Sequence, residues 1–343
     1  MKPFALRLLS ALLIAVPTGL TFGSDAGAVP GAARDAAQQH TLADEIEKDA
    51  FAFAVFGDTP YSAHERAELP KMLQAMGERD IAFALHVGDI KSGNSPCSDE
   101  VYLDRRRLFD AFVRPLIYVP GDNEWTDCHR PSAGGHDPGE RLQRLRTLFF
   151  AAPESFGQRR IALERQAAGT DHPALPENAR WQKGRVLFVT LNIPGSDNGI
   201  VDEARPAVEF LTRERGNRAW LSEAFAIARE ARLAAVVIGI QANPGFEEDA
   251  RGKPKTAYRD FLQQLRMLTR AFSGQVLLVH GDTHRQRIDK PLIDPENGTV
   301  LQNFTRVETF GAPFMGWIEV VFQPKKAGFA FTVYRWPAEP PLP

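Results

Sequence analysis

The hexapeptide VHGDTH at residues 279–284 directly follows the run Gln275-Val276-Leu277-Leu278 and sets two histidines around a Gly-Asp pair. Three other Gly-Asp pairs stand in the same kind of place: FGDTP at 56–60, VGDIK at 87–91 and PGDNE at 120–124. One such pair is ordinary turn chemistry, and with 27 glycines in the chain some arise by chance. Position gives these four more weight, because Asp58, Asp89, Asp122 and Asp282 each follow an apolar, strand-like segment. In open α/β sheets the carboxyl ends of the strands form the ligand crevice. The preceding glycine lets the chain turn sharply and brings the side chain to the rim. Carboxylates gathered there repel one another and retain protons unless a cation joins them. A hydrolytic two-metal site, with histidine beside the carboxylates, meets that requirement. The plainer reading is four unrelated surface turns.

Working outward, FAFAVFG (51–57), IAFALHVG (81–88), PLIYVPG (115–121), GRVLFVTLN (184–192), AAVVIGI (234–240) and QVLLV (275–279) read as strands. Helical spacing marks Leu69 to Met76, residues 99–113, a helix capped by Asn217 that carries Trp220, Leu221, Ala224 and Phe225, and a last one from Tyr258 to Phe272. Residues 153–180, rich in Pro, Arg and Ala, read as an irregular excursion. Beyond residue 300 the pattern changes: NFTRVETFG, WIEVVF and FAFTVYR follow one another as strands with no helix between them. Alternation followed by consecutive strands predicts an α/β domain with a mixed sheet or two sheets. No Pro/Gly/Ser linker divides residues 51–343, which reads as one large domain.

The ordered set GDTP, GDIK, GDNE, a strand ending at Gln241 and HGDTH resembles the calcineurin-like metallophosphoesterases across residues 51–284. It departs from that pattern at Pro60, Asp122, Asn123, Gln241 and Asp282. Asp122 stands where the family has a metal-binding Asn, Asn123 where it has the histidine that assists the leaving group, and histidines are expected at the other three positions. Asp58, Asp89 and His284 are retained. The resemblance implies a four-layer αββα sandwich with two mixed β-sheets and a metal site at the strand C-terminal ends. Carried over residue by residue, Asp58, Asp89 and His284 hold a first metal, Asp122, Gln241 and Asp282 a second, and Asp89 bridges. The implied activity is hydrolysis of a phosphomonoester, diester or anhydride by a metal-bridging hydroxide. The two divalent ions are Mn or Mg in preference to Zn or Fe, because the donors are mostly carboxylate and amide oxygen. Asn123 cannot deliver a proton, so either the leaving group needs little help or His280, His86 or Glu124 serves, although core positions suit both histidines better. Tyr61 and Trp125 read as rim packing, and Lys91, Arg130 and Arg285 as solvated loop charges that could meet phosphate oxygens.

The first 28 residues have the form of a secretory signal: Lys2 and Arg7, the apolar LLSALLIAV at 8–16, and AGA at 26–28 before a cleavage point. Pro17 and Gly19 interrupt the apolar stretch, which speaks against a stable membrane anchor. Residues 29–50 read as a linker, and the mature chain is expected in the periplasm or secreted. Export makes a Cys97–Cys128 disulfide the favoured state of the only two cysteines, over free thiols or a zinc thiolate pair. A net charge of -2 gives no reason to expect nucleic acid as a partner, so the expected partner is a small phosphorylated substrate. Oligomeric state is not legible. Two other functions compete: a metallophosphoesterase-fold binding protein without turnover, and a metal-free acid/base hydrolase using two of the aspartates.

Overall fold

The computed structural model describes residues 50–170, 172–200, 207–326 and 328–337. The expected signal (1–28) and all of the linker but Ala50 lie outside them. Glu45–Pro343 form one compact unit. Among the described residues no helix is long and apolar enough to cross a membrane.

Two mixed sheets form the centre. The first has five strands in the order β12 (Gly328–Trp336), β11 (Met315–Gln323), β1 (Phe51–Phe56), β2 (Ala84–His86), β3 (Leu116–Tyr118). Here β1, β2 and β3 run parallel, and β11 is antiparallel to both β1 and β12. The second has seven: β4 (Glu164–Gln166), β5 (Leu175–Lys183), β6 (Val186–Thr190), β7 (Ala235–Gly239), β8 (Gln275–His280), β10 (Phe304–Glu308), β9 (Arg287–Asp289). In it β6, β7, β8 and β10 are parallel.

Two-residue alternation decides how the layers stack. In β1, Phe53 and Val55 face the second sheet and meet Phe188, Val237, Leu277 and Val279, while Ala54 and Phe56 face outward. The outward face packs on α1 (Ala63–Gly77), α2 (Asp99–Ala111) and α3 (Pro138–Phe149). In β7, Val236 and Ile238 face α4 (Val208–Glu230) and α6 (Thr256–Arg270); a short α5 (Phe246–Ala250) precedes α6. The result is helices, sheet, sheet, helices: the two-sheet sandwich expected from the sequence. A third apolar cluster, with Phe53, Phe83, Phe188 and Val237 among it, fills the space between the sheets.

Several boundaries differ from the sequence reading. The first helix begins at Ala63 rather than Leu69, because Ser62 Oγ caps it by accepting from Glu65 N at 3.2 Å. Asn217 caps nothing. It lies inside α4, where its amide donates to Asn192 O and accepts from Asn178. Within the stretch 153–180 expected to be irregular, residues 164–166 are β4 and β5 begins at Leu175. Their buried residues mix polar Gln166, Glu177, Asn178 and Arg180 with Leu175, Ala179 and Trp181, so no clean hydropathy pattern reveals them. The Cys97–Cys128 disulfide is present, with Cα atoms 5.8 Å apart.

Candidate metal centre

Every expected metal ligand lies just beyond the carboxyl end of a parallel strand. Asp58, Asp89 and Asp122 follow β1, β2 and β3 of the first sheet; Gln241, Asp282 and His284 follow β7 and β8 of the second. The site is therefore split between the sheets. One bond here joins its halves, from Asp282 N to Asp58 Oδ1 at 2.9 Å; within the second half Gly281 N donates to Gln241 O at 3.0 Å. Asp58 Oδ1 also stands 3.6 Å from His284 Nε2. His284 Nδ1 donates to Ala312 O at 2.8 Å, which leaves Nε2 as the bare nitrogen facing Asp58.

The Asp89 side is more heavily braced. Its Oδ2 accepts from Tyr61 OH and from Asn123 Nδ2, both at 2.7 Å, and Asn123 Nδ2 also donates to Tyr61 OH at 2.8 Å. Tyr61 is held in turn by the start of α1, where Glu65 Oε2 accepts from Tyr61 N at 2.7 Å. Its ring stands edge-on to His284, centroids 5.2 Å apart. Beneath, fully buried Glu124 ties two loops together: its Oε1 accepts from Asp89 N, Gly121 N and Tyr118 OH at 3.0, 2.7 and 2.6 Å.

One loop was not legible as part of the site. After β6 the chain runs through Gly195–Asn198 in a left-handed turn, and Ser196 Oγ donates to Asp122 Oδ2 at 2.6 Å. A methyl on Gly195 would lie 2.7 Å from Asp282 Oδ1 and 2.9 Å from Asp122 Oδ2, so this glycine keeps open a cradle between the two carboxylates. Gly195 N also donates to Gln241 Oε1. Among the described residues eight non-glycine positions have left-handed φ; Asp58, Asp89, Asp282, His284 and Ser196–Asn198 are seven of them, and Arg232 is the eighth. Each such position carries roughly 1–2 kcal/mol of local strain, less for Asp and Asn. Strain gathered at one rim marks a site that the rest of the fold holds in place.

Electrostatics point the same way. Burial, then the charges of neighbouring carboxylates, pushes Asp58 and Asp89 well above the usual carboxylate range. Burial, followed by the charge of Asp122, pushes Asp282 up to about 7. Asp122 Oδ1 and Gln241 Nε2 are buried without a hydrogen-bond partner. Mutually raised carboxylates, an orphaned carboxylate oxygen and an open cradle are what a divalent cation satisfies, so the donor set fits such an ion. The geometry is nonetheless not a finished cage: among the described residues no three of His, Cys, Asp and Glu are gathered as ready-made ligands. Lone pairs of Asp89 and Asp122 are turned to Tyr61, Asn123 and Ser196 instead.

The remaining sequence candidates fall as follows. His280 lies in β8 and His86 in β2, both fully buried and held neutral, their imidazoles pushed down to about 3 by burial. Neither can act as an acid near neutral pH. Lys91 is not a solvated charge but fully buried, its Nζ donating to Ser92 O at 3.0 Å, within the field of Glu124 and Asp89. Arg130 pairs with Asp127 at 2.8 Å near Asn123, while Arg285 is exposed. Trp125 is packing, under the guanidinium of Arg213 at 5.1 Å. Tyr61, read as rim packing, belongs to the site.

No family model matches the sequence, and no curated protein matches it. Solved structures do. A dimetal phosphatase from Danio rerio is 11% identical, with 83% of this chain and 99% of that chain covered and a TM-score of 0.46. PhoD is 11% identical over 83% of this chain and 68% of its own, with a TM-score of 0.50. A purple acid phosphatase from yellow lupin is 12% identical over 83% and 53%, with a TM-score of 0.46. At such identities a likeness speaks for the fold alone, and the match to PhoD carries it: this chain has the fold of the calcineurin-like metallophosphoesterases.

Proposed function

We propose that this chain is an exported, metal-dependent phosphoesterase. The observation that carries the reading is the convergence of Asp58, Asp89, Asp122 and Asp282 at the strand ends of this sandwich, the first three buried and Asp282 partly so, with Asp122 Oδ1 unpartnered. Asp58, Asp89 and His284 would hold one divalent ion, and Asp122, Asp282 and Gln241 the other, with Asp89 between them. When bound, the ions supply neutralisation of phosphoryl charge and a water nucleophile at neutral pH.

The chain's own groups do the rest. His284 is fixed in the tautomer that presents Nε2, through its bond to Ala312 O. Gln241 Oε1, the atom that would face the ion, also accepts from Gly195 N, and its Nε2 is buried without a partner. Asn123 orients Asp89 and Tyr61 but has no proton to give, so a departing group receives none from it. That same feature favours the second reading, a cation- and phosphate-binding protein without turnover.

The test is turnover of 4-nitrophenyl phosphate, bis(4-nitrophenyl) phosphate and pyrophosphate by chelator-stripped protein, before and after addition of Mn2+ or Mg2+. Cation-dependent turnover lost in Asp89→Asn supports the enzyme. Cation and phosphate binding with no turnover of any of the three supports the binding protein. Turnover indifferent to chelator returns the acid/base hydrolase.

A further inference from the structure

The segment Thr309–Phe314 clasps the site. Thr309 Oγ1 donates to Asp58 Oδ2 and Ala312 N to Asp58 O, each at 3.3 Å, and Ala312 O accepts from His284. The same segment carries Phe310, Pro313 and Phe314 into a cavity of about 410 Å3, whose walls also include Met315, Trp336 and Pro337, with His284, Gln286 and Arg335 as its polar members. These walls are framed. Met315 of β11 pairs with Trp336 of β12, and Trp336 Nε1 donates to Glu68 Oε2 at 3.3 Å. Phe310 is buried, whereas Phe314 is 66% exposed, a large ring left uncovered at the mouth. His284 belongs to both the carboxylate cluster and this wall, so the cavity adjoins the cluster there.

We infer that this cavity takes an aromatic ring joined through oxygen to the phosphorus, which makes the substrate an aryl phosphoester. The inference rests on the phosphoesterase reading and names its substrate class. Two independent features support it. Aromatic, proline and thioether walls favour a flat apolar group. Asn123, bonded to Asp89 and Tyr61, has no proton to give an alkoxide, and an aryl oxide leaves without one. The reaction balances with water alone. Its oxygen bonds to phosphorus, the bond from phosphorus to the aryl oxygen breaks, and the electron pair departs on that oxygen. The proton lost by water passes to the phosphate product or to solvent.

Calorimetry with two non-hydrolysable probes tests this on the Mn2+-loaded protein: methylphosphonate and benzylphosphonate. Benzylphosphonate is expected to bind about tenfold tighter or more, as burial of one ring face implies. Phe314→Ala should remove most of that advantage and Phe314→Tyr should keep it; the ring is exposed, and urea midpoints check that each variant folds. Equal affinity for the two probes, or an advantage that survives Phe314→Ala, overturns the aryl assignment and leaves the phosphoesterase reading standing. Failure of both probes to bind overturns both.

Discussion

Asp282→Asn should stabilise the cation-free protein. In the folded chain the Asp282 carboxyl is pushed from an ordinary 3.8 to about 7 by burial and by Asp122. Each pH unit between those two values is worth about 1.36 kcal/mol. A carboxyl raised in the folded state weakens folding in full above its folded value, less as pH falls through 7, and not at all below 3.8. At pH 8 the penalty comes to about 4 kcal/mol for a fully enclosed group, and Asp282 retains some contact with solvent, so about 2 kcal/mol is the working figure. Asparagine keeps an oxygen for the Asn243 N–H that Asp282 Oδ2 now accepts at 2.9 Å, so the swap forfeits little. Urea unfolding in EDTA at pH 8 should therefore show the variant more stable by about 2 kcal/mol, with the gap closing toward pH 4. Saturating Mn2+ should reverse the order, because the cation stabilises the wild type in proportion to its tighter binding. A variant less stable than wild type in EDTA at pH 8, or a gap that ignores pH, would refute the claim that buried like charge dominates this site.

Other outcomes follow from the same structure. Turnover should be highest with Mn2+ or Mg2+ and poor with Zn2+, and Asp282→His should move that preference toward Zn2+ or Fe2+; metal analysis and activity across a metal series decide it. Reducing the Cys97–Cys128 bridge should lower the unfolding free energy by about 3–4 kcal/mol in the chain-entropy model, measured by urea unfolding with and without reductant; no change would mean the unfolded chain is not restrained by it. Gly121→Ala should destabilise by about 1–3 kcal/mol and weaken Mn2+ binding, because the added methyl overlaps Asp89. Gly135→Ala, with φ +67 and open space around it, should instead show a purely conformational loss of about 1–2 kcal/mol, with Mn2+ affinity intact.

The sandwich was legible because its central strands are apolar on both faces and its helices carry clear 3.6-residue spacing. The Gly-Asp pairs were legible because a strand end is where a turn and an acid coincide. What escaped has a common cause. Strand β5 is buried through polar pairs, Arg146 with Glu177 and Asn178 with Gln166 and Asn217, so a hydropathy reading passes over it. Asn217 was mistaken for a cap because its partners, Asn178 and Asn192, are distant in sequence. Tyr61, Ser196 and the Thr309–Ala312 segment join the site only through tertiary contacts; the bond from Thr309 to Asp58 spans 251 residues. The one hint available was that 184–192 also ends in a glycine-rich turn, NIPGSDNG, without the acidic dipeptide.

The division of the site between two sheets has a mechanical consequence. Two stacked sheets whose facing surfaces are apolar resist separation strongly and sideways sliding weakly, since hydrophobic contact has no direction. A displacement too small to disturb the core would still carry Asp58, Asp89 and Asp122 past Gln241, Asp282 and His284. The site thus works as a vernier on the alignment of the sandwich. An ion held by residues from both sheets would act as a bolt through the seam, and hydrogen exchange in β2 and β7, neither of them an edge strand, should slow together when it binds.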